Sequence, residues 1–220
     1  KVFLGPRRAG KSTVMYQIIN YILKTAKPEE ILFINFQDPN IIKEKLDDIF
    51  LSYKREFNPK RIFIFLDEAQ EKDGWELWVK SKYDQNKDIE FFVSGSSSTL
   101  LRKKFSHYLT GRVKTFYIYP LSITEFLDFS GFDAKKPFSP EETASFEYHI
   151  KQFMAQGGFP EVFFKEEEKR RTLLIEYIED IIAKDIVSRY GANYEVAKQL
   201  LEYYASNSGA LTSINKMEKK

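Results

Sequence analysis

The sequence predicts an α/β fold, a parallel sheet of five strands crossed by helices, followed by an all-α module. Two observations predict it. Short apolar segments alternate with longer amphipathic ones as far as Pro120, the pattern of strands joined by helical crossovers, and beyond Pro120 the strand signal disappears. The strands are expected at residues 2–4, 31–36, 62–66, 89–94 and 115–119, with helices at 12–24, 41–57, 75–83 and 97–105 between them. Further helices are expected at 122–129, 141–155, 171–187 and 194–204, punctuated by Pro137, Pro140 and the turn Gly157-Gly158-Phe159-Pro160. The expected division is a core at 1–130, a helical module at 131–190 and a further segment at 191–220.

Composition narrows the function classes. The 220 residues include 43% hydrophobic and 30% charged side chains, with 20 Phe and 13 Tyr, which is the make-up of a folded chain and not of a disordered one. No apolar run approaches the roughly 18 residues that cross a bilayer, and no cleavable signal precedes the first strand, so a cytoplasmic protein without a membrane partner is expected. Cysteine is absent, which removes disulfides, thiolate zinc sites and cysteine nucleophiles. The two histidines, His107 and His149, lack the spacing of a zinc-binding helix. A net charge of +2 predicts no strong overall attraction to phosphate backbones or anionic lipid.

Chemistry is concentrated after two strands. Residues 5–12, GPRRAGKS, match the phosphate-binding pattern G-x-x-x-x-G-K-[ST] and lie between a strand and a helix, where its mechanism needs them. Glycines let the backbone amides close around phosphate oxygens, and the helix that follows points its positive end at the anion. The nucleotide-binding residues are therefore Gly5, Pro6, Arg7, Arg8, Ala9, Gly10, Lys11, Ser12 and Thr13. Lys11 is expected to reach the β and γ phosphates, and the Ser12 hydroxyl to ligate Mg²⁺. Two readings stand side by side for Arg7 and Arg8: contact with phosphate or a neighbouring subunit, or exposure to solvent.

Residues 61–68, RIFIFLDE, form an apolar strand ending in two carboxylates at the rim where α/β sheets bind ligands. Asp67 suits the Mg²⁺ shell, and Glu68 suits the orientation of water for in-line attack on a γ-phosphoryl group. A guanine-specific switch would show Asn-Lys-x-Asp after a later strand. Asn86-Lys87-Asp88-Ile89 lacks the last Asp and precedes its strand, so ATP is favoured over GTP. A small-molecule kinase needs no water-directing glutamate, which favours hydrolysis to ADP and phosphate.

Taken in order, these motifs resemble the prokaryotic, largely archaeal, AAA-type ATPases of the ASCE division of P-loop proteins. The resemblance rests on GPRRAGKS at 5–12, FINFQDP at 33–39, FLDEAQ at 65–70 with Trp75 beyond, and SGSSSTLL at 94–101. It continues through LTGR at 109–112, YPLSITEFL at 119–127 and GGFPEV at 157–162, nearly the whole chain. It implies that the strand at 89–94 lies between the loop strand and the acidic strand. One serine of 94–97, Ser96 first, would then be a polar sensor of nucleotide state; helix capping is the parallel reading.

The resemblance also implies roles further along. Arg112, before the fifth strand, would stabilise transition-state charge from a neighbouring subunit or after closure, an oligomer being allowed for; a surface arginine is the rival reading, and Arg102 is a lesser candidate. The helices beyond would form a lid entered through the Gly157-Gly158 turn, which on its own is a helix breaker. Asp185 and Arg189 fit the family pattern and also read as an i, i+4 pair. Residues 197–216 resemble the opening of a winged-helix segment, which implies DNA or a protein as partner through the C-terminal segment. The alternative to an ATPase that moves its lid is a slow nucleotide-dependent switch.

Overall fold

The computed structural model describes residues 1–96, 111–134 and 139–210, apart from the side chain of Arg189. The expected helix at 97–105, with Ser97 and Arg102, lies outside them, as do His107 and the second winged-helix helix near Thr212. Five parallel strands form one sheet: β1 (Val2–Leu4), β2 (Ile31–Asn35), β3 (Ile62–Asp67), β4 (Ile89–Gly95) and β5 (Thr115–Tyr117). Their order is β2-β3-β4-β1-β5, with the third and first strands separated by β4, as expected. The pairing sets Leu66 opposite Val93 and Leu4 opposite Gly95, so the carboxyl ends of β1, β3 and β4 finish side by side.

Strand periodicity divides the core into two layers. Ile62, Ile64 and Leu66 join Val2, Leu4, Ile89, Phe91 and Val93 on one face, under α2 (Leu46–Phe57) and α3 (Trp75–Gln85). Phe63 and Phe65 join Phe3 and Phe92 on the other, under Met15, Ile18 and Ile22 of α1 (Lys11–Ile22). With both faces covered, β3 is buried along its full length, which is why it reads as a continuous apolar run. Phe65 and Phe92 stack at 4.5 Å and 10° in the α1-facing layer.

Two compact units divide the chain, Lys1–Phe163 and Phe164–Lys220. The boundaries expected at 130/131 and 190/191 both fall inside these units. The first unit retains α4 (Ile123–Phe129), α5 (Pro140–Gln156) and α6 (Pro160–Phe163). Packing explains this, because Phe126 of α4 meets Phe153 of α5 at 5.3 Å and Phe163 of α6 at 5.2 Å. Capping boxes at Ser122 with Glu125 and at Ser139 with Glu142 start α4 and α5. The second unit holds α7 (Glu167–Asp180), a π-helical stretch (Ile181–Val187), α8 (Ser188–Tyr190) and α9 (Tyr194–Ser206), which packs back on the π-helical stretch. Among the described residues no helix is long and apolar enough to cross a membrane.

Candidate functional site: a phosphate loop against an acidic strand

The same periodicity that builds the core positions the site. Phe63 and Phe65 are followed on their face by Asp67, and Phe92 by Ser94, so both polar residues continue the rows beneath α1. Gly10 caps that helix at φ 95°, a conformation glycine adopts without penalty. Gly5 sits so close to the chain after β5 that an added Cβ would lie 1.9 Å from the Ile118 carbonyl oxygen. The loop between them is thereby pinned to the sheet and turned into the helix.

Loop and acidic strand meet at this end of the sheet. Ser12 Oγ donates to Asp67 Oδ2 at 2.7 Å, joining positions 55 residues apart. Lys11 Nζ donates to the Pro6 carbonyl at 2.9 Å and stands 3.7 Å from Glu68 Oε1. Lys11, Asp67 and Glu68 are 4%, 3% and 8% exposed. Three buried ionisable groups are costly to maintain unless each is paired, and here every one has a partner. Lys11, Ser12, Asp67 and Glu68 thus converge at one end of the sheet.

The remaining candidates fall around this cluster or away from it. Ser94, fully buried, donates its hydroxyl proton to Asp67 Oδ1 and accepts from the Glu68 N–H at 3.0 Å. Ser96, the first choice for sensor, is also buried, and its backbone N–H donates to Gln70 Oε1 at 3.3 Å. Arg7 pairs with Glu71 at 3.3 Å and has a mostly covered side chain, while Arg8, in the left-handed region at φ 64°, pairs with Glu161 at 3.7 Å. Arg112 lies at the opposite end of the sheet, 3.4 Å from Asp84 and beside Lys1 and Val2, and so does not meet this chain's own loop.

The Gly157-Gly158 turn comes back to the loop. Leu121 N–H donates to the Gly158 carbonyl at 2.6 Å, and a Cβ on Gly10 would stand 3.8 Å from Pro160 Cγ. Asp180 pairs with Lys184 at 2.8 Å within the second unit, beside the expected Asp185 and Arg189 positions. Sequence reasoning missed Gln70 and Glu71, which carry polar contacts to both the loop and the β4 tip. The signal was present in FLDEAQ, where a glutamine stands two positions after the second carboxylate.

A magnesium-bound nucleotide fits the donors present. The Ser12 hydroxyl and the Asp67 carboxylate are hard oxygen ligands already within hydrogen-bond distance of each other, and Mg²⁺ usually takes one or two protein oxygens with phosphate and water completing its shell. Among the described residues no group of three or more His, Cys, Asp and Glu is gathered for a metal held by protein alone.

A sequence model of the AAA domain matches residues 1–127, and one for a domain of unknown function matches residues 147–220. The uncharacterized protein MJ1544 of Methanocaldococcus jannaschii is 36% identical over 86% of this chain and 42% of its own length. An uncharacterized protein of Haemophilus influenzae is 29% identical over 99% of this chain and 54% of its own. The chain therefore spans about half the length of the curated relatives it matches. Among solved structures, Cdc6p from Pyrobaculum aerophilum is similar with a TM-score of 0.42 at 18% identity, covering 59% of this chain and 41% of that one. Aeropyrum pernix Orc1, solved in complex with DNA, is similar with a TM-score of 0.46 at 10% identity, covering 99% and 75%. The AAA match takes in more than half of the chain and ends beyond its last strand, and on that ground the protein belongs to the AAA family of P-loop ATPases.

Proposed function

We propose that the protein binds Mg²⁺-ATP and hydrolyses it to ADP and phosphate. The observation that carries this reading is the Ser12–Asp67 hydrogen bond at 2.7 Å, which brings the phosphate loop to the acidic strand. Backbone N–H groups of residues 7–13 surround the phosphates, with Gly5 and Pro6 shaping the start of the loop, and Lys11 exchanges the Pro6 carbonyl for phosphate oxygens. Ser12 and Asp67 would hold the magnesium ion, which when bound would supply positive charge against that developing on the phosphoryl group. Glu68 directs a water molecule for in-line attack, Ser96 monitors the phosphate from the tip of β4, and the apolar floor of Phe65 and Phe92 strengthens each interaction by lowering the local dielectric.

Nucleotide state is transmitted, in this reading, to the helical segments beyond residue 130. The nearness of Pro160 to Gly10 and the pair between Arg8 and Glu161 support such a route. Arg112 is assigned to a neighbouring subunit's nucleotide, since it lies at the far end of its own sheet. DNA or a protein is the proposed partner of the C-terminal segment.

A second reading, a nucleotide-dependent switch with slow turnover, draws on the Lys11–Glu68 pair, which engages the water-directing carboxylate before any phosphate does. Phosphate release from the parent, Lys11→Ala and Glu68→Gln proteins tests the hydrolytic reading. Both variants are expected to lose turnover, and equal rates in all three would remove the mechanism. Slow parental turnover with ADP retained through purification selects the switch.

A further inference from the structure

Glu68 occupies the left-handed region at φ 51° and ψ 46°, which few residues other than glycine adopt without strain. The chain therefore doubles back immediately after β3, and the short 3-10 turn Ala69–Glu71 stands beside the tip of β4. Gln70 uses both ends of its amide there. Its Nε2 donates to Glu68 Oε2 and, at 3.3 Å, to Glu71 Oε1, while its Oε1 accepts the Ser96 N–H at 3.3 Å. The reverse orientation would set the amide oxygen against two carboxylates and its NH₂ against an N–H, so the network allows one arrangement.

We propose that Gln70 is a positioning residue for ATP hydrolysis, a neutral tie that fixes the Glu68 carboxylate to the backbone at the β4 tip. This rests on the reading of Glu68 as the group that directs water. Glu68 is held on Oε1 by Lys11 and on Oε2 by Gln70. A bound phosphate draws Lys11 away and leaves Gln70 as the partner that sets the carboxylate's direction. A neutral amide suits that task, because it orients the carboxylate without the compensating charge an ammonium would bring. Displacement of the β4 tip at Ser96 is passed through one side chain to Glu68, which couples the proposed sensor to the water-directing group.

The test compares the parent chain with Gln70→Ala, Gln70→Glu and Glu68→Gln, measuring kcat and KM for Mg²⁺-ATP across pH and affinity for ADP. Gln70→Ala is expected to lower kcat about 10- to 100-fold, the scale of a misdirected reacting group, with KM and ADP affinity within about twofold of the parent. Gln70→Glu, similar in shape, is expected to lose as much at neutral pH. It should recover relative to Gln70→Ala as the solution is acidified, since the introduced carboxyl donates again once protonated. Parental kcat in Gln70→Ala, a parallel fall in ADP affinity, or identical pH profiles for the two Gln70 variants would each overturn the proposal. If Glu68→Gln keeps parental turnover, the role of Glu68 fails and the tie with it. If Glu68→Gln is inactive while Gln70→Ala is not, the tie alone fails.

Discussion

The tip of the sheet and its outer flank treat charge in opposite ways. At the tip, Lys11, Asp67 and Glu68 are almost fully buried and bound to one another's neighbours through serine hydroxyls and backbone groups. On the flank Asp47–Lys82 bridges α2 and α3, and toward the opposite end of the sheet Arg61 pairs with Glu90 and Arg112 with Asp84, each pair keeping at least one partner well exposed. Burying ions is expensive and surface pairs contribute little, so folding alone gives no reason for the first arrangement. The proposed nucleotide would give the tip cluster a reason that folding alone does not supply.

Removing the centre of the tip cluster should give the largest effect. Asp67→Ala deletes the acceptor of both Ser12 and Ser94. Turnover is expected to fall about 10²- to 10³-fold, with the Mg²⁺ concentration for half-maximal rate raised; a variant with parental metal dependence would show that Asp67 is not in the magnesium shell. Ser94→Ala should act more weakly but on two observables. It leaves the Glu68 N–H without its acceptor and one Asp67 oxygen without its donor, for a loss of about 1–3 kcal/mol in denaturant melts. Turnover should drop about tenfold as Asp67 loosens, and an unchanged melt would mean that water replaces the hydroxyl fully.

The parallel sheet was legible because apolar strands alternated with amphipathic crossovers, and the loop because its glycines and lysine stand at fixed spacing. Details decided by tertiary contacts were less so. The helix expected at 41–57 is interrupted, with a 3-10 turn at Ile41–Lys43 and α2 starting at Leu46, as Lys72 Nζ takes up the carbonyls of Ile42 and Glu44 from another loop. The helix expected at 171–187 starts earlier and passes into a π-helical stretch, for which periodicity gives no signal. Among the serines at the end of β4, pattern alone could not separate Ser94, which holds Asp67, from Ser96, which reaches Gln70 through its backbone. Only the register of β4 against β3 distinguishes them.

The flank offers the smallest effect and the sharpest contrast. Lys82 Nζ donates to Asp47 Oδ1 at 2.7 Å, and the Trp78 indole N–H donates to the same oxygen at 3.1 Å. The Lys82 hydrogen bond holds the Asp47 carboxyl below its ordinary range against the opposing effect of desolvation, with the Trp78 bond adding to it. Because the folded state binds this proton less readily than the unfolded chain, the contribution is present above the ordinary carboxylate pKa and is lost as pH falls through the folded value. Asp47→Asn should therefore cost about 0.5 kcal/mol or less at neutral pH, as expected of a solvent-screened pair. The gap from the parent should close under acid. Turnover should be unaltered, since Asp47 reaches only Lys82 and Trp78 in these contacts. Denaturant melts at neutral and acidic pH, paired with phosphate release, decide it. A gap that widens under acid would reverse the sign, and a fall in turnover would join the flank to the tip and end the separation between them.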